Sequence, residues 1–207
     1  SPEACLELEA HRRVVERVLA ARGEIDEMMP KLMHVKVVDG DSLLVCPVAG
    51  DAIRQYPADL LAESIQVFLQ QWPNTAVQFC LPPGSDQKHW GMALENKGIF
   101  GVEWLHPKDL ESLINLIARA RIVLAPDSGP SHIATTLDKP GVFILGGGHF
   151  GMFAPWSKSG RQTWLNHAMD CYQCRWICTQ PEPYCITHIA PADIARSLSE
   201  VMVSEAP

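Results

Sequence analysis

The chain has 207 residues and a net charge of −7, and 47% of its residues are hydrophobic. These values are typical of a globular protein and exclude a disordered chain. The basic residues form no dense cluster, so we expect no nucleic-acid partner. No apolar stretch reaches the length of a transmembrane helix, and the first residues lack the pattern of a signal peptide.

Taken in chain order, helical periodicity first predicts a helix over residues 3–29, within a linker formed by residues 1–40. Apolar runs then predict strands over residues 43–46, 76–81, 99–105, 122–125 and 142–145. Amphipathic spacing predicts helices over residues 57–71, 86–96, 107–120, 129–137 and 191–203. Strands that alternate with helices indicate an α/β domain over residues 41–207, with a parallel sheet covered by helices on both faces.

Three loops follow predicted strands at the edge where open parallel sheets bind their ligands. They are residues 49–54, residues 127–132 and residues 146–149, which read AGDAIR, DSGPSH and GGGH. Arg54 is the basic residue of the first loop and could clamp a phosphate, or it could be exposed and unpaired. The glycines of the third loop allow either close approach of a ligand or a flexible turn.

The loop over residues 127–132 has the features of an anion site. Gly129 lets backbone N–H groups approach a phosphate at the start of a helix, and the hydroxyls of Ser128 and Ser131 would add to the binding. The alternative is structural: Asp127 or Ser128 caps the helix, Gly129-Pro130 forms a turn and His132 packs in the interior. Spacing alone leaves both interpretations open.

The motifs in this order resemble those of the C-terminal half of glycosyltransferase family 9, the ADP-heptose:lipopolysaccharide heptosyltransferases. The strongest match is the run DSGPSHIA at residues 127–134, followed by KPGV at residues 139–142. Residues 47–57, where Arg54 precedes a Tyr-Pro pair, resemble the family's donor loop. The resemblance covers residues 43–203.

The resemblance implies the C-terminal half of a two-lobed GT-B fold, which holds the nucleotide-sugar donor in a Rossmann-like domain. It implies donor-binding roles for Ala49, Gly50, Arg54, Lys108, Asp127, Ser128, Gly129, Pro130, Ser131 and His132. It further implies ADP-heptose or a related donor, and sugar transfer with inversion and without a metal. The implied process is lipopolysaccharide biosynthesis in the cytoplasm or at the inner face of the inner membrane.

The sequence departs from the family pattern at its N-terminal side. Only about 40 residues precede the first matching strand, too few for the acceptor lobe. The family's candidate general base lies in that lobe, so we assign no catalytic residue and expect an upstream acceptor domain or an oligomer. The acceptor, a glycan or a protein, is not identified. The acid that contacts the donor ribose has no clear counterpart, and Asp86 is the nearest candidate.

Four of the seven cysteines crowd into one segment: Cys171, Cys174, Cys178 and Cys185. Four thiolates suit a structural zinc, an iron or an iron–sulfur cluster, whereas two local disulfides or four free thiols are the alternatives. Among family 9 relatives, this segment most resembles the autotransporter heptosyltransferases, which hold iron with cysteines near the C-terminus.

The sequence leaves three functions open. The first is a glycosyltransferase donor-binding domain that acts when joined to an acceptor lobe. The second is a non-catalytic binding or assembly module, held together by a metal and derived from such an enzyme. The third is half of an enzyme similar to the nucleotide-sugar epimerases.

Overall fold

The computed structural model describes residues 32, 35–38, 40–156 and 160–204. The helix that the sequence predicts over residues 3–29 lies outside the described residues. The described strands are β1 Ser42–Val45, β2 Ala76–Cys80, β3 Glu103–Leu105, β4 Ile122–Pro126, β5 Gly141–Ile144 and β6 Gln162–Leu165. They form one sheet in the order β3-β2-β1-β4-β5-β6, and every neighbouring pair is parallel.

The described helices flank the strands and range from four to fourteen residues. They are α1 Ala58–Gln71, α2 Gln87–Asn96, α3 Leu110–Arg119, α4 Gly129–Thr136, α5 Tyr184–Thr187 and α6 Pro191–Ser204. Two short 3₁₀ turns, Ala52–Arg54 and Gly147–His149, follow β1 and β5. Within the described part of the chain, no helix combines the length and the apolarity that crossing a membrane requires.

Alternating residues of the strands bury two separate cores, one on each face of the sheet. From β1, Leu43 and Val45 pack against the cluster that includes α1, α2 and α6. Leu44 and Cys46 point to the other face, where α3 and α4 cover them. The predicted α/β sheet with helices on both faces is therefore confirmed.

Side-chain caps shift two helix boundaries relative to the predictions. The third helix was expected from residue 107 but begins at Leu110, because Asp109 and Ser112 form a capping box at its start. Asp86 similarly caps α2, and its carboxylate accepts the His89 backbone N–H at 3.0 Å. The structure thus gives Asp86, the candidate ribose contact, a local role as a helix cap.

Two strands differ from the sequence expectation. The strand predicted over residues 99–105 is only three residues long, because Gly98 and Gly101 both have φ of +71° and interrupt an extended backbone. The edge strand β6 was not predicted. Its sequence, QTWL, is short and only half-buried along its whole length, so it lacks the apolar run that marks the central strands.

Candidate functional site

A cleft opens at the carboxyl edge of the sheet, beside the point where the strand order reverses between β1 and β4. Its volume is about 340 Å³, and its lining residues come from four parts of the chain: Asp51, Arg54, Asp127, His132, His149, Phe153 and Trp176. Ligands of open α/β sheets bind at this reversal point. A larger apolar groove of about 630 Å³ lies elsewhere, between α1 and α6.

Arg54 brings a positive charge to the cleft from the turn after β1. Asp51 accepts the Ile53 backbone N–H at 3.2 Å and so fixes the start of that turn. The Nη1 of Arg54 donates to the backbone oxygen of Asp127 at 3.2 Å. Among the described residues no carboxylate forms an ion pair with Arg54. The guanidinium therefore retains donors for an anionic ligand.

The hydroxyls of the two serines at the start of α4 form hydrogen bonds with the backbone. Ser131 is fully buried, and its hydroxyl donates to the Ser128 oxygen at 2.7 Å and accepts the Ser128 N–H at 3.1 Å. The Ser128 hydroxyl donates to the Pro126 oxygen at 3.2 Å. Both hydroxyls thus fix the turn at the start of α4. Gly129 is exposed, and a Cβ there would meet nothing within 4 Å, so the helix start is open to an anion.

A chain of hydrogen bonds fixes His132 beside the buried Asp127. The indole N–H of Trp156 lies 3.0 Å from His132 Nδ1, and His132 Nε2 lies 3.2 Å from Asp127 Oδ1. Because an indole nitrogen can only donate, Nδ1 is the acceptor and the imidazole proton is on Nε2. Nε2–H therefore donates to the carboxylate, and His132 is a polar residue of the cleft rather than a core residue.

The glycines of the third loop admit two aromatic side chains from the cysteine-rich segment. A Cβ on Gly148 would lie 2.3 Å from the Trp176 ring, and a Cβ on Gly147 would lie 2.4 Å from the Tyr172 ring. Backbone bonds hold the same contact, from the Gln173 N–H to the Gly147 oxygen at 2.8 Å and from the Arg175 N–H to the Gly148 oxygen at 2.9 Å. The loop is therefore a packing surface for the cysteine-rich segment. Neither interpretation of the sequence predicted this contact.

The four clustered cysteines are neighbours but do not form a closed ligand set. Burial raises the pKa of the Cys185 thiol, although a hydrogen bond from the Gly147 backbone acts in the opposite direction. The charges of three nearby thiols raise this pKa further: Cys171, Cys174 and Cys178. In the part of the chain that the structure describes, no three His, Cys, Asp or Glu side chains are placed to hold one metal ion. Four thiolates could bind zinc or iron, but the positions of these cysteines do not confirm a metal centre.

The remaining predicted donor-binding residues lie outside the cleft lining. Gly50 packs against the Arg54 guanidinium, and a Cβ there would be 3.2 Å from Nη2. Ala49 is buried before that turn, and Pro130 is half-buried in the first turn of α4. Lys108 is exposed in the loop after β3, outside the cleft lining. The donor-binding roles of all ten residues named from the sequence remain predictions.

Sequence reasoning missed the aromatic wall of the cleft. Phe153 and Trp176 line it, Trp156 holds His132 in the lining, and none was named as a residue of the cleft. His149 was noted only as the last residue of a loop. The sequence does show aromatic residues after the glycine loop at residues 146–149 and between the clustered cysteines. It does not show that they line a cleft, because their contacts form only in the tertiary fold.

The strand order 3-2-1-4-5-6, with every neighbouring pair parallel and helices on both faces, defines a Rossmann-like α/β domain. The sequence profile described as Glycosyltransferase family 9 (heptosyltransferase) matches residues 13–184. The chain belongs to this family.

Individual relatives agree with the family assignment. Lipopolysaccharide heptosyltransferase 1 of Pseudomonas aeruginosa is 25% identical over 155 residues, which cover 64% of this chain and 43% of that protein. The E. coli heptosyltransferase WaaC with ADP-2-deoxy-2-fluoro heptose superposes with a TM-score of 0.56 at 18% identity, covering 95% of this chain and 56% of that chain. The iron-containing dodecameric glycosyltransferase TibC from enterotoxigenic E. coli has a TM-score of 0.63 at 15% identity, covering 84% of this chain and 48% of that chain.

The chain spans about half the length of these relatives. In fold, this chain is therefore similar to about half of each of these solved structures. The fold and family predictions from the sequence are confirmed.

Proposed function

We propose that this chain is the donor-binding domain of a glycosyltransferase, and that its cleft holds a nucleotide-diphosphate sugar, ADP-heptose or a close relative. The observation that carries the proposal is the convergence of Arg54 and the open start of α4 at the reversal point of the sheet. The donor is proposed from the relatives, one of which was solved with an ADP-heptose analogue.

In this proposal three of the cleft residues have defined tasks. The Arg54 guanidinium and the first-turn N–H groups of α4 bind the diphosphate and stabilise the negative charge that grows on it as the glycosidic bond breaks. Asp127 lies near the sugar, oriented by the His132 imidazole. An acceptor hydroxyl attacks the anomeric carbon from the opposite face, which inverts its configuration. The general base comes from an acceptor lobe, and no described residue is assigned that role.

The test is a calorimetric panel of ADP, UDP, GDP and their sugars, first with the wild type and then with Arg54→Gln. A charge-assisted hydrogen bond contributes about 1.5–3 kcal/mol, so we expect Arg54→Gln to weaken diphosphate binding by about 10- to 100-fold. Arg196→Gln is the matched control, because Arg196 is exposed on α6 and pairs with Asp193 at 2.6 Å. Absence of binding by the folded wild type would contradict a donor site in this chain.

A second proposal concerns the cysteine-rich segment. We propose that Cys171, Cys174, Cys178 and Cys185 bind one structural zinc or iron, which would require the thiols to draw together around Cys185. The support is the mutual proximity of the thiols and the iron-containing, dodecameric relative. Elemental analysis of anaerobically purified protein tests metal binding, and light scattering measures the oligomeric state of the same sample. Less than about one metal per chain in the wild type would contradict it.

We also propose a cytoplasmic location, with the inner face of the inner membrane as the place where a lipid-linked acceptor would be met, because the chain is similar to a lipopolysaccharide heptosyltransferase. Cell fractionation with an antibody to the chain tests this location. Recovery from the periplasm would contradict it.

A further inference from the structure

His149 lies in the turn after β5 and lines the same cleft as Arg54 and His132. Its Nδ1 is 3.1 Å from the indole nitrogen of Trp176, which comes from the cysteine-rich segment. The ring is also held by edge contacts with Phe153 and Trp176, at centroid distances of 5.0 and 6.0 Å and interplanar angles of 87° and 85°. The imidazole is therefore fixed on two sides.

The hydrogen bond from Trp176 determines which nitrogen of His149 carries the proton. An indole N–H donates and cannot accept, so His149 Nδ1 must offer its lone pair. The bonded imidazole is consequently neutral, with its proton on Nε2. His132 is held in the same way by Trp156, so the cleft contains two imidazoles in the same tautomer.

The two imidazoles differ in what their Nε2–H groups contact. The Nε2–H of His132 is already engaged by the carboxylate of Asp127 at 3.2 Å. The Nε2–H of His149 has no hydrogen-bond partner among the residues that the structure describes. A half-buried donor beside an arginine that lacks a carboxylate partner is suited to an anionic oxygen.

We propose that His149 is a ligand-binding residue that donates its Nε2–H to the diphosphate of the donor, and that Trp176 is the positioning residue that fixes its tautomer. The inference rests on the proposed function and adds to it an anion contact supplied by the loop after β5. It also gives the cysteine-rich segment a part in donor binding, since Trp176 belongs to that segment. The contact requires no proton transfer, because a neutral N–H stabilises the leaving diphosphate as a hydrogen-bond donor.

The first test compares ADP with adenosine, which lacks phosphates, by calorimetry on the chain. We expect His149→Ala to weaken ADP binding by about tenfold or more and to leave adenosine binding unchanged. His188→Ala is the matched control: His188 is exposed and packs on Tyr184 in the same region, outside the cleft lining, and should change neither affinity. Unchanged ADP affinity in His149→Ala, or equal losses for ADP and adenosine, would overturn the proposal.

The second test removes the indole N–H of Trp176 but keeps an aromatic ring at that position. Trp176→Phe keeps most of the packing against Gly146 and Gly148 but deletes the N–H. Long-range ¹⁵N–¹H correlation spectra should show His149 as the Nε2–H tautomer in the wild type and as a mixture in Trp176→Phe, with severalfold weaker ADP binding. A Nδ1–H tautomer in the wild type would overturn the assignment even if His149→Ala failed to fold. Failure of the wild type to bind any nucleoside diphosphate would instead contradict the proposed function.

Discussion

Trp156 fixes His132 through a 3.0 Å hydrogen bond between side chains that are 24 residues apart, while the two rings stack at an interplanar angle of 12°. The bond leaves the Nε2–H of His132 to hold the carboxylate of the buried Asp127. The orientation of an acidic residue in the cleft therefore depends on a tryptophan that does not line the cleft.

Trp156→Phe should weaken binding of the nucleotide sugar by about three- to tenfold, because His132 can then exchange tautomers and Asp127 loses a fixed donor. Calorimetry measures the affinity. Trp72→Phe is the control: it removes a comparable N–H bond, to Ser199 at 3.3 Å, away from the cleft, and should lower stability without changing affinity. Wild-type affinity in Trp156→Phe would mean that the bond does not orient Asp127.

Ser131→Ala should lower the free energy of unfolding by about 1–3 kcal/mol, because it leaves the buried N–H of Ser128 without the hydroxyl that accepts it. Ser112→Ala is the matched variant, since Ser112 makes the same pair of bonds with Asp109 in an exposed helix start. Water can replace the lost partners there, so we expect a smaller loss. Urea unfolding measures the free energy of unfolding of both variants. Equal losses would show that burial of the Ser128 turn adds nothing to stability.

Gly148→Ala should displace Trp176, because the added Cβ would lie 2.3 Å from its ring. We expect a loss of about 1–3 kcal/mol in the free energy of unfolding and a change in tryptophan fluorescence. Gly160→Ala is the control, since a Cβ at Gly160 meets nothing within 4 Å. If both variants behave like the wild type, the cysteine-rich segment does not sit on the loop after β5.

Tyr56→Phe should change the dependence of stability on alkaline pH. Burial raises the pKa of Tyr56 above its ordinary value near 10, and its hydroxyl donates to the backbone oxygen of Ile189. A raised pKa means that the folded state favours the neutral phenol, so this stabilisation is complete below about pH 10 and is lost as pH rises above it. Urea unfolding at pH 8, 10 and 11 should show a steeper decline for the wild type than for Tyr56→Phe. Parallel declines would contradict this assignment.

The central part of the fold could be predicted from the sequence, because β1, β2, β4 and β5 are buried apolar runs bounded by glycine, proline or aspartate. The edge strand β6 could not, since it is held by pairing with β5 rather than by an apolar pattern of its own.

The same distinction applies to the site. Arg54, Asp127 and His132 could be named because each follows a predicted strand at the carboxyl edge of a parallel sheet. The bonds of Trp156 and Trp176 to their histidines join positions 24 and 27 residues apart, and local patterns carry no information about such pairs. The fixed tautomers therefore become visible only in three dimensions.

The pairing of β1 with both neighbours also bears on synthesis of the protein by the ribosome. Leu43 pairs with Val77 on one side and with Ile122 on the other, so β1 must wait for a segment about 80 residues downstream before it is enclosed. Arg54 and Trp176 meet in one cleft although most of the domain is translated between them. Since contacts of long sequence separation form slowly, we expect the sheet to assemble before the cleft is complete, and nascent chains that stop short of Trp176 to fold without a functional site.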